Sequence, residues 1–154
     1  MKNTKKIRYR GILTFEIPKN WIEEYDDEHG GSFYEDTPLS GTLRLKIMSL
    51  NAPSGENQLE VLDVLSGLNV KESKTISLPN KNAYKMFYEQ TTDSGHEITI
   101  YYWSLAQLIK PKKARLANFS YTILTSRLNL ESVNKEIEFI TEQVENAHFE
   151  SENK

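Results

Sequence analysis

The sequence contains no cysteine. That absence excludes disulfide bonds, thiolate catalysis, and zinc or iron–sulfur sites with cysteine ligands, because each of these needs a sulfur atom. The 7 glycines match neither a phosphate-binding loop nor a dinucleotide-binding turn. The serines lie in no G-x-S-x-G elbow, the strand-to-helix turn that presents a nucleophilic serine. We therefore predict a protein that has no cofactor or bound metal and is not an enzyme.

Long apolar runs are also missing. No segment approaches the roughly 20 apolar residues that span a bilayer, and Arg8, Arg10 and Gly11 interrupt the stretch in which a signal peptide would need its apolar core. We therefore predict a cytosolic protein without membrane insertion.

The lysine and asparagine content suggests a bacterial source. The 19 basic and 22 acidic residues give a formal net charge of −3 and are mixed along the chain, so we predict no binding to nucleic acid.

The length of 154 residues suits one domain. We predict a single α+β domain over residues 7–149, with residues 1–6 and 150–154 as flexible termini because they are polar. Alternation of apolar and polar residues predicts a strand over residues 7–17, which ends at Pro18, and another over residues 42–50. The predicted strands are residues 7–17, 21–25, 32–35, 42–50, 72–77, 83–91, 96–108 and 113–125. Paired glycines in the acidic turn between the second and third of them allow the chain to reverse.

Two segments change to the helical period. Residues 57–68 carry leucines at three-residue steps, and residues 130–147 carry apolar residues at steps of three and four, with Asn129 placed to cap the second helix. The order of strands, helix, strands, helix favours an antiparallel sheet over alternating βαβ units. The predicted fold is therefore α+β: an antiparallel sheet of about 6–7 strands with two main helices packed on it.

Several segments resemble one known superfamily. The opening FEIPKNW and the strand GTLRLKI are similar to the first strands of the PsbP-like, Mog-like and DcrB-like group, which includes photosystem extrinsic proteins and a Ran-binding nuclear factor. The segments NAYKMFYE, EITIYYW and ANFSYTI, followed by a helix that ends at HF, are similar to its three-strand meander and last helix. The resemblance covers the chain from about Arg8 to Phe149. It implies an α/β/α sandwich and a binding or accessory role, and it transfers no functional residue.

An acidic stretch is the first candidate interaction surface. It consists of Glu23, Glu24, Asp26 and Asp27. Carboxylates at close spacing can bind Ca²⁺, but the D-x-D-x-D-G pattern of a calcium loop is missing. The favoured interpretation is a solvated turn whose charges keep an edge strand from pairing. The alternative is a docking patch for a basic partner.

Aromatic residues form the second candidate surface. Tyr84, Tyr88, Tyr101 and Trp103 lie on adjacent predicted strands, and such side chains suit a platform for a peptide or ligand. The alternative, which we favour, is that these rings fill the core. The three histidines, His29, His96 and His148, are predicted to be surface residues. The basic turn with Lys110, Lys112, Lys113 and Arg115 is predicted to be solvated.

These observations favour a non-catalytic cytosolic binding protein. We predict a protein partner of unknown identity and an adaptor, chaperone or immunity-like role. The alternative is a small-ligand-binding protein or weak hydrolase that uses an aromatic pocket with His96 or a nearby carboxylate.

Overall fold

The protein is described by a computed structural model that covers residues 3–51, 60–66, 73–110 and 113–151. The chain forms ten strands, two α-helices and one 3₁₀ turn within these residues. They are β1 (Thr4–Tyr9), β2 (Leu13–Pro18), β3 (Trp21–Asp26), β4 (Gly30–Glu35), β5 (Thr42–Asn51), α1 (Val61–Ser66), β6 (Lys74–Ser77), β7 (Ala83–Asp93), β8 (His96–Lys110), β9 (Lys113–Leu124), the 3₁₀ turn (Thr125–Arg127), α2 (Glu131–Asn146) and β10 (His148–Phe149).

Seven of the strands form one large sheet in the order β3-β4-β5-β9-β8-β7-β6. Every neighbouring pair in it is antiparallel. The prediction of an α+β protein with an antiparallel sheet is therefore confirmed. Each of its strands overlaps one of the predicted strands.

The prediction of one strand over residues 7–17 is wrong. The chain reverses at Arg10 and Gly11, which have φ angles of 50° and 67°, and the N–H of Ile12 donates to the carbonyl of Tyr9 over 2.8 Å. The two halves, β1 and β2, pair with each other, and β10 pairs with the other side of β2. These three strands form a separate small sheet. Odd-numbered residues face the core on both sides of the turn, so the turn leaves the alternation unbroken.

The boundaries of the predicted domain also differ from the observed ones. Residues 4–6, predicted to belong to a flexible terminus, lie in β1. At the other end, the N–H of Glu150 donates to the carbonyl of Ile12 over 2.6 Å. The folded part of the chain therefore extends beyond residues 7–149 at both ends.

The main core lies between the large sheet and a second layer that contains the small sheet and α2. Phe15 of the small sheet packs edge-on against Phe33 and Phe119 of the large sheet, with ring centroids 5.6 and 5.4 Å apart. The predicted cap of α2 is wrong: its N-cap is Leu130, without a side-chain hydrogen bond. Instead, the Nδ2 atom of Asn134 donates to the carbonyl of Leu130 over 3.0 Å.

A smaller apolar cluster lies on the opposite face of the large sheet. There Leu65 of α1 packs with Ala83, Ala106 and Leu116. Trp103 contacts α2 and is an odd number of residues from Ala106, so the two side chains lie on opposite faces of β8. The two helices therefore contact opposite faces. Residues 57–59, 67 and 68 of the first predicted helix lie outside the described residues.

Candidate functional site

Tyr84 and Trp103, two of the predicted aromatic surface residues, are part of the core. Their exposed fractions are 1% and 0%, so neither can contact a partner. The hydroxyl of Tyr84 donates to Oε2 of Glu145 over 2.6 Å, and the indole of Trp103 is bonded to Thr141. The candidate surface role is therefore wrong for both residues and the favoured interpretation, that these rings fill the core, is right for them, because they lie on the face of the large sheet that α2 covers.

The other two aromatic residues of that prediction reach the surface. Tyr88 is 58% exposed, and Tyr101 is partly exposed. Their ring centroids are 5.7 Å apart, and Tyr101 in turn lies 6.3 Å from the ring of Trp103. The set of four therefore begins in the core and ends at the surface, so it does not form one platform.

The acidic stretch lies on β3, an edge strand of the large sheet, and in the turn that follows it at Asp27, and most of its carboxylates have intramolecular partners. Glu23 accepts a hydrogen bond from Tyr25 over 2.7 Å and pairs with Lys5 at 3.0 Å. Both contacts lower the pKa of Glu23, that from Tyr25 more strongly. Exposed carboxylates on an edge strand disfavour pairing with another strand.

Asp26 organises the turn between β3 and β4. One of its oxygens accepts the N–H groups of Glu28 and His29 over 2.7 and 3.2 Å, and the other lies 3.0 Å from Nδ1 of His29. The His29 side chain, followed by the two backbone donors, lowers the pKa of Asp26 to about 2. Asp27 is fully exposed, with Arg10 3.9 Å away. No group of three or more acidic or histidine side chains among the described residues is placed to bind a metal ion.

The histidines and the basic turn do not combine into a site. His29, His96 and His148 are all exposed, which confirms the prediction that they lie on the surface. Arg115 is buried, and its Nη2 atom donates to the carbonyl of Glu150 over 2.7 Å while its guanidinium lies 5.4 Å from the ring of Phe149. Arg115 therefore anchors the C-terminal strand, and the prediction that it is solvated is wrong. Lys112 and the side chain of Lys110 lie outside the described residues.

The feature that the sequence did not reveal is a straight row of side chains across the large sheet. The register aligns one residue from each of six neighbouring strands, and all six share the face opposite α2. All six are partly or fully exposed. We call this set the cross-strand row: Glu24, Ser32, Arg44, Ser120, Tyr102 and Phe87.

Two hollows lie along this row. The outer hollow, of about 730 Å³, is lined by Glu24, Tyr25, Asp26, His29, Ser32 and Arg44. The inner hollow, of about 220 Å³, is lined by His29, Arg44, Leu45, Lys46, Tyr102, Asn118, Phe119 and Ser120. The two share His29 and Arg44, so they lie side by side, and we call them together the depression. At its end, Tyr102 stacks on Phe87 with ring centroids 4.8 Å apart.

A separate cleft lies at the end of the main core. It has a volume of about 680 Å³ and is lined by Asn3, Pro18, Lys19, Asn20, Trp21, Glu35 and Glu136. The carboxylate of Glu136 accepts a hydrogen bond from the hydroxyl of Tyr121. Burial raises the pKa of Glu136, and the nearby charge of Glu35 adds to the increase, while the Tyr121 bond and Arg127 oppose it. None of the three histidines lines this cleft or is in contact with Glu136 in the described structure.

The register explains why sequence reasoning missed the cross-strand row. The alternation on β5 showed that Arg44 and Lys46 share one face, but it did not show which residues of β4 and β9 lie beside them. That information comes only from the pairing of Arg44 with Ser32 and with Ser120. The cleft was missed because it joins residues about 100 positions apart, such as Glu35 and Glu136.

Neither helix among the described residues has the length and apolar character that a membrane-spanning helix requires.

No protein-family model matches the sequence, and no curated protein matches it. Solved structures do match. A crystal structure of a protein from Bacteroides thetaiotaomicron VPI-5482 aligns with a TM-score of 0.68 and 15% identity over 100% of this chain. The alignment covers 51% of that protein, so this chain spans about half of its length.

LpqN of Mycobacterium tuberculosis, a protein involved in cell envelope biogenesis, aligns with a TM-score of 0.66 and 9% identity, over 89% of this chain and 82% of LpqN. The solution structure of PsbP (CyanoP) from Synechocystis sp. PCC 6803 aligns over 97% of this chain and 94% of that one, with 10% identity and a TM-score of 0.47. Identities this low concern the fold alone. The alignments to the Bacteroides protein and to LpqN show that this chain shares their fold.

Proposed function

We propose that this chain is a non-catalytic binding protein that holds an extended segment of a protein partner along the cross-strand row. The observation that carries the proposal is the depression that the adjoining outer and inner hollows make along the row. It crosses β3, β4, β5, β9 and β8, which are neighbours in the large sheet.

The dimensions of the depression favour a polypeptide over a small molecule. Five neighbouring strands at about 4.8 Å spacing span about 19 Å. An extended chain rises about 3.3 Å per residue, so about six residues fit along the depression. Hydroxyl, amide and charged side chains line most of it, and an aromatic pair closes one end. Such a mixture is typical of the surfaces that bind proteins non-obligately.

Site-specific photo-crosslinking tests the proposal. A photoreactive phenylalanine analogue replaces Ser120 in the centre of the row, and in a control protein it replaces Glu138, an exposed residue of α2. In cells that naturally express the protein, we expect a defined crosslinked adduct from position 120 and none from position 138. Adducts that are absent at 120, or equal at both positions, would exclude the row as the binding surface.

The cleft supports a second candidate, a small-ligand-binding protein or weak hydrolase. Its volume of about 680 Å³ lies in the range of ligand pockets, about 300–1,000 Å³. Glu136 lies in its wall, and a carboxyl group with a raised pKa can act as a general acid or base. Tyr84 and Trp103 are buried and His96 is exposed, so these residues do not line the aromatic pocket that the sequence suggested.

An NMR screen of small molecules distinguishes this candidate from the first. We expect ligands of the cleft to shift the backbone amide signals of Asn20 and Trp21, and we expect Asn20→Trp to abolish the shifts by filling the cleft. The matched control is Asn80→Trp, at an exposed turn position. If no compound shifts these amides, or if Asn20→Trp leaves the shifts unchanged, the cleft is not a ligand site.

Two finer predictions remain part of the proposal. One is a cytosolic location, which cell fractionation tests. The other is that the whole fold is a PsbP-like α/β/α sandwich; the contacts of α1 and α2 with opposite faces of β8 support it.

A further inference from the structure

The lining of the inner hollow carries positive charge, whereas the chain as a whole is acidic. The protein has a formal net charge of −3, yet the lining of the inner hollow includes Arg44, Lys46 and His29 and no carboxylate. The neutral residues of the lining that can donate hydrogen bonds into the hollow are Asn118 and Ser120 on β9, whereas the hydroxyl of Tyr102 already donates to Glu89. A local excess of positive charge attracts an anionic group even when the whole protein is acidic.

Arg44 and Lys46 are held in place without being neutralised. They are two residues apart on one face of β5, so their backbones are separated by about 7 Å. The Nζ atom of Lys46 donates to the backbone carbonyl of Glu28 over 2.9 Å, and Nη1 of Arg44 lies 3.5 Å from Oγ1 of Thr122. Neither cation forms an ion pair with a carboxylate among the described residues.

Two of the carboxylates beside the depression already have partners. At the β3 end, Asp26 is bonded to His29. At the β8 end, Glu89 accepts a hydrogen bond from the hydroxyl of Tyr102 over 2.7 Å. Glu24 lines the outer hollow together with Arg44, whereas it does not line the inner one. The two cations of β5 are therefore available to a charge from outside.

We propose that the inner hollow binds a single carboxylate side chain, contributed by an acidic residue of the extended segment that lies along the cross-strand row. The volume of about 220 Å³ accommodates one side chain. Arg44 is suited to the role because its planar guanidinium can donate two parallel hydrogen bonds to a carboxylate. Lys46 and Asn118 face each other across β5 and β9, and both can donate to the same group. The inference rests on the proposed function, because it assumes that a polypeptide occupies the row.

Titration of the labelled protein with two capped amino acids tests the inference by NMR. The probes are N-acetylglutamate N-methylamide and its neutral analogue N-acetylglutamine N-methylamide. We expect saturable shifts of the amide signals of Arg44, Lys46, Asn118 and Ser120 with the glutamate probe only, and weaker binding at higher NaCl concentration. No shifts with the glutamate probe, or equal shifts with both probes, would overturn the inference.

Two double variants test the role of the charges. Arg44→Gln with Lys46→Gln, which we call the neutral double variant, is expected to abolish the shifts, and Arg44→Lys with Lys46→Arg to retain them. The control is Lys74→Gln with Lys81→Gln, which removes two exposed charges outside the hollow and is expected to bind as the wild type does. Retained binding in the neutral double variant would refute the inference.

Inorganic phosphate is the third probe, and it distinguishes a side-chain carboxylate from a free anion. If phosphate shifts the four amides and the glutamate probe does not, the hollow is a site for a free anion and the inference is wrong. The crosslinking experiment separates this failure from that of the proposed function. If the adduct from position 120 persists in the neutral double variant, the partner still binds along the row without the two cations. The proposed function then stands, and only the inferred carboxylate contact is excluded.

Discussion

The indole N–H of Trp103 donates a hydrogen bond to Oγ1 of Thr141 over 3.0 Å, and this bond links β8 to α2. The hydroxyl proton of Thr141 is directed to the carbonyl of Ile137 over 2.9 Å, so the oxygen is free to accept from the indole. Trp103 is fully buried. Without Thr141 its N–H would have no acceptor and no access to water.

Thr141→Val should therefore destabilise the protein by about 1–3 kcal/mol, the usual cost of leaving a buried polar group unsatisfied. Valine has nearly the shape of threonine, so packing changes little. Urea unfolding followed by tryptophan fluorescence measures the effect. The matched control is Thr92→Val on the exposed part of β7, and equal midpoints for the two variants would show that the bond contributes nothing.

Gly41 is required by the ring of Tyr121. A Cβ atom at position 41 would overlap Cζ and the hydroxyl oxygen of Tyr121, and Tyr121 is fully buried. Gly41→Ala should cost about 1–3 kcal/mol, as other overpacking substitutions do. Urea unfolding is measured for Gly41→Ala, for Tyr121→Leu and for the two changes combined. When Tyr121→Leu is already present, the added cost of Gly41→Ala should nearly vanish; an unchanged cost would mean that the clash is not with this ring.

Strand β5 could be predicted from its alternation, because Leu43 and Leu45 are buried while Arg44 and Lys46 are exposed. The hairpin of β1 and β2 could not, because Ile7, Tyr9, Leu13 and Phe15 keep the same parity across the turn. Alternation alone does not reveal a turn when the apolar residues before it and after it fall on positions of the same parity. The positive φ of Arg10 is uncommon for a residue other than glycine, so only Gly11 signalled the turn.

The candidate site was harder to predict than the fold. Single-strand patterns show which face a residue occupies, and they placed Arg44 and Lys46 correctly on the face opposite Leu43 and Leu45. The surface itself depends on register between strands that are about 80 residues apart, such as Arg44 and Ser120. Sequence reasoning chose aromatic and acidic residues by type, and Trp103 and Tyr84 then proved to be core because α2 covers that face.

Glu136 should make stability depend on pH. Its pKa is raised in the folded protein, mainly by burial, so above pH 4.5 the folded state binds more protons than the unfolded state and the free energy of unfolding falls as pH rises. In Glu136→Gln the side chain cannot titrate, so this dependence is removed. Relative to the wild type, the variant should gain stability between pH 4.5 and neutral pH.

Urea unfolding of both proteins at several pH values measures that difference. Glu23 and Asp26 have lowered pKa values, so their contributions to the free energy of unfolding change with pH in the opposite direction. Both proteins contain these two residues, so their contributions cancel in the comparison. Glu138→Gln, on the same helix and exposed, controls for the loss of one charge. A difference between Glu136→Gln and the wild type that stays constant with pH would contradict the raised pKa.

Phe149 fixes the end of the chain in the core. Its side chain is 4% exposed, the guanidinium of Arg115 lies over its ring at 5.4 Å, and β10 pairs with β2 at Leu13 and Thr14. Phe149→Ala should cost about 3–5 kcal/mol, as is typical for a buried phenylalanine. His148→Ala, the exposed neighbour on the same strand, should change stability by less than about 0.5 kcal/mol. Urea unfolding compares the two variants, and a Phe149→Ala midpoint equal to that of His148→Ala would show that β10 is not required for the stability of the core.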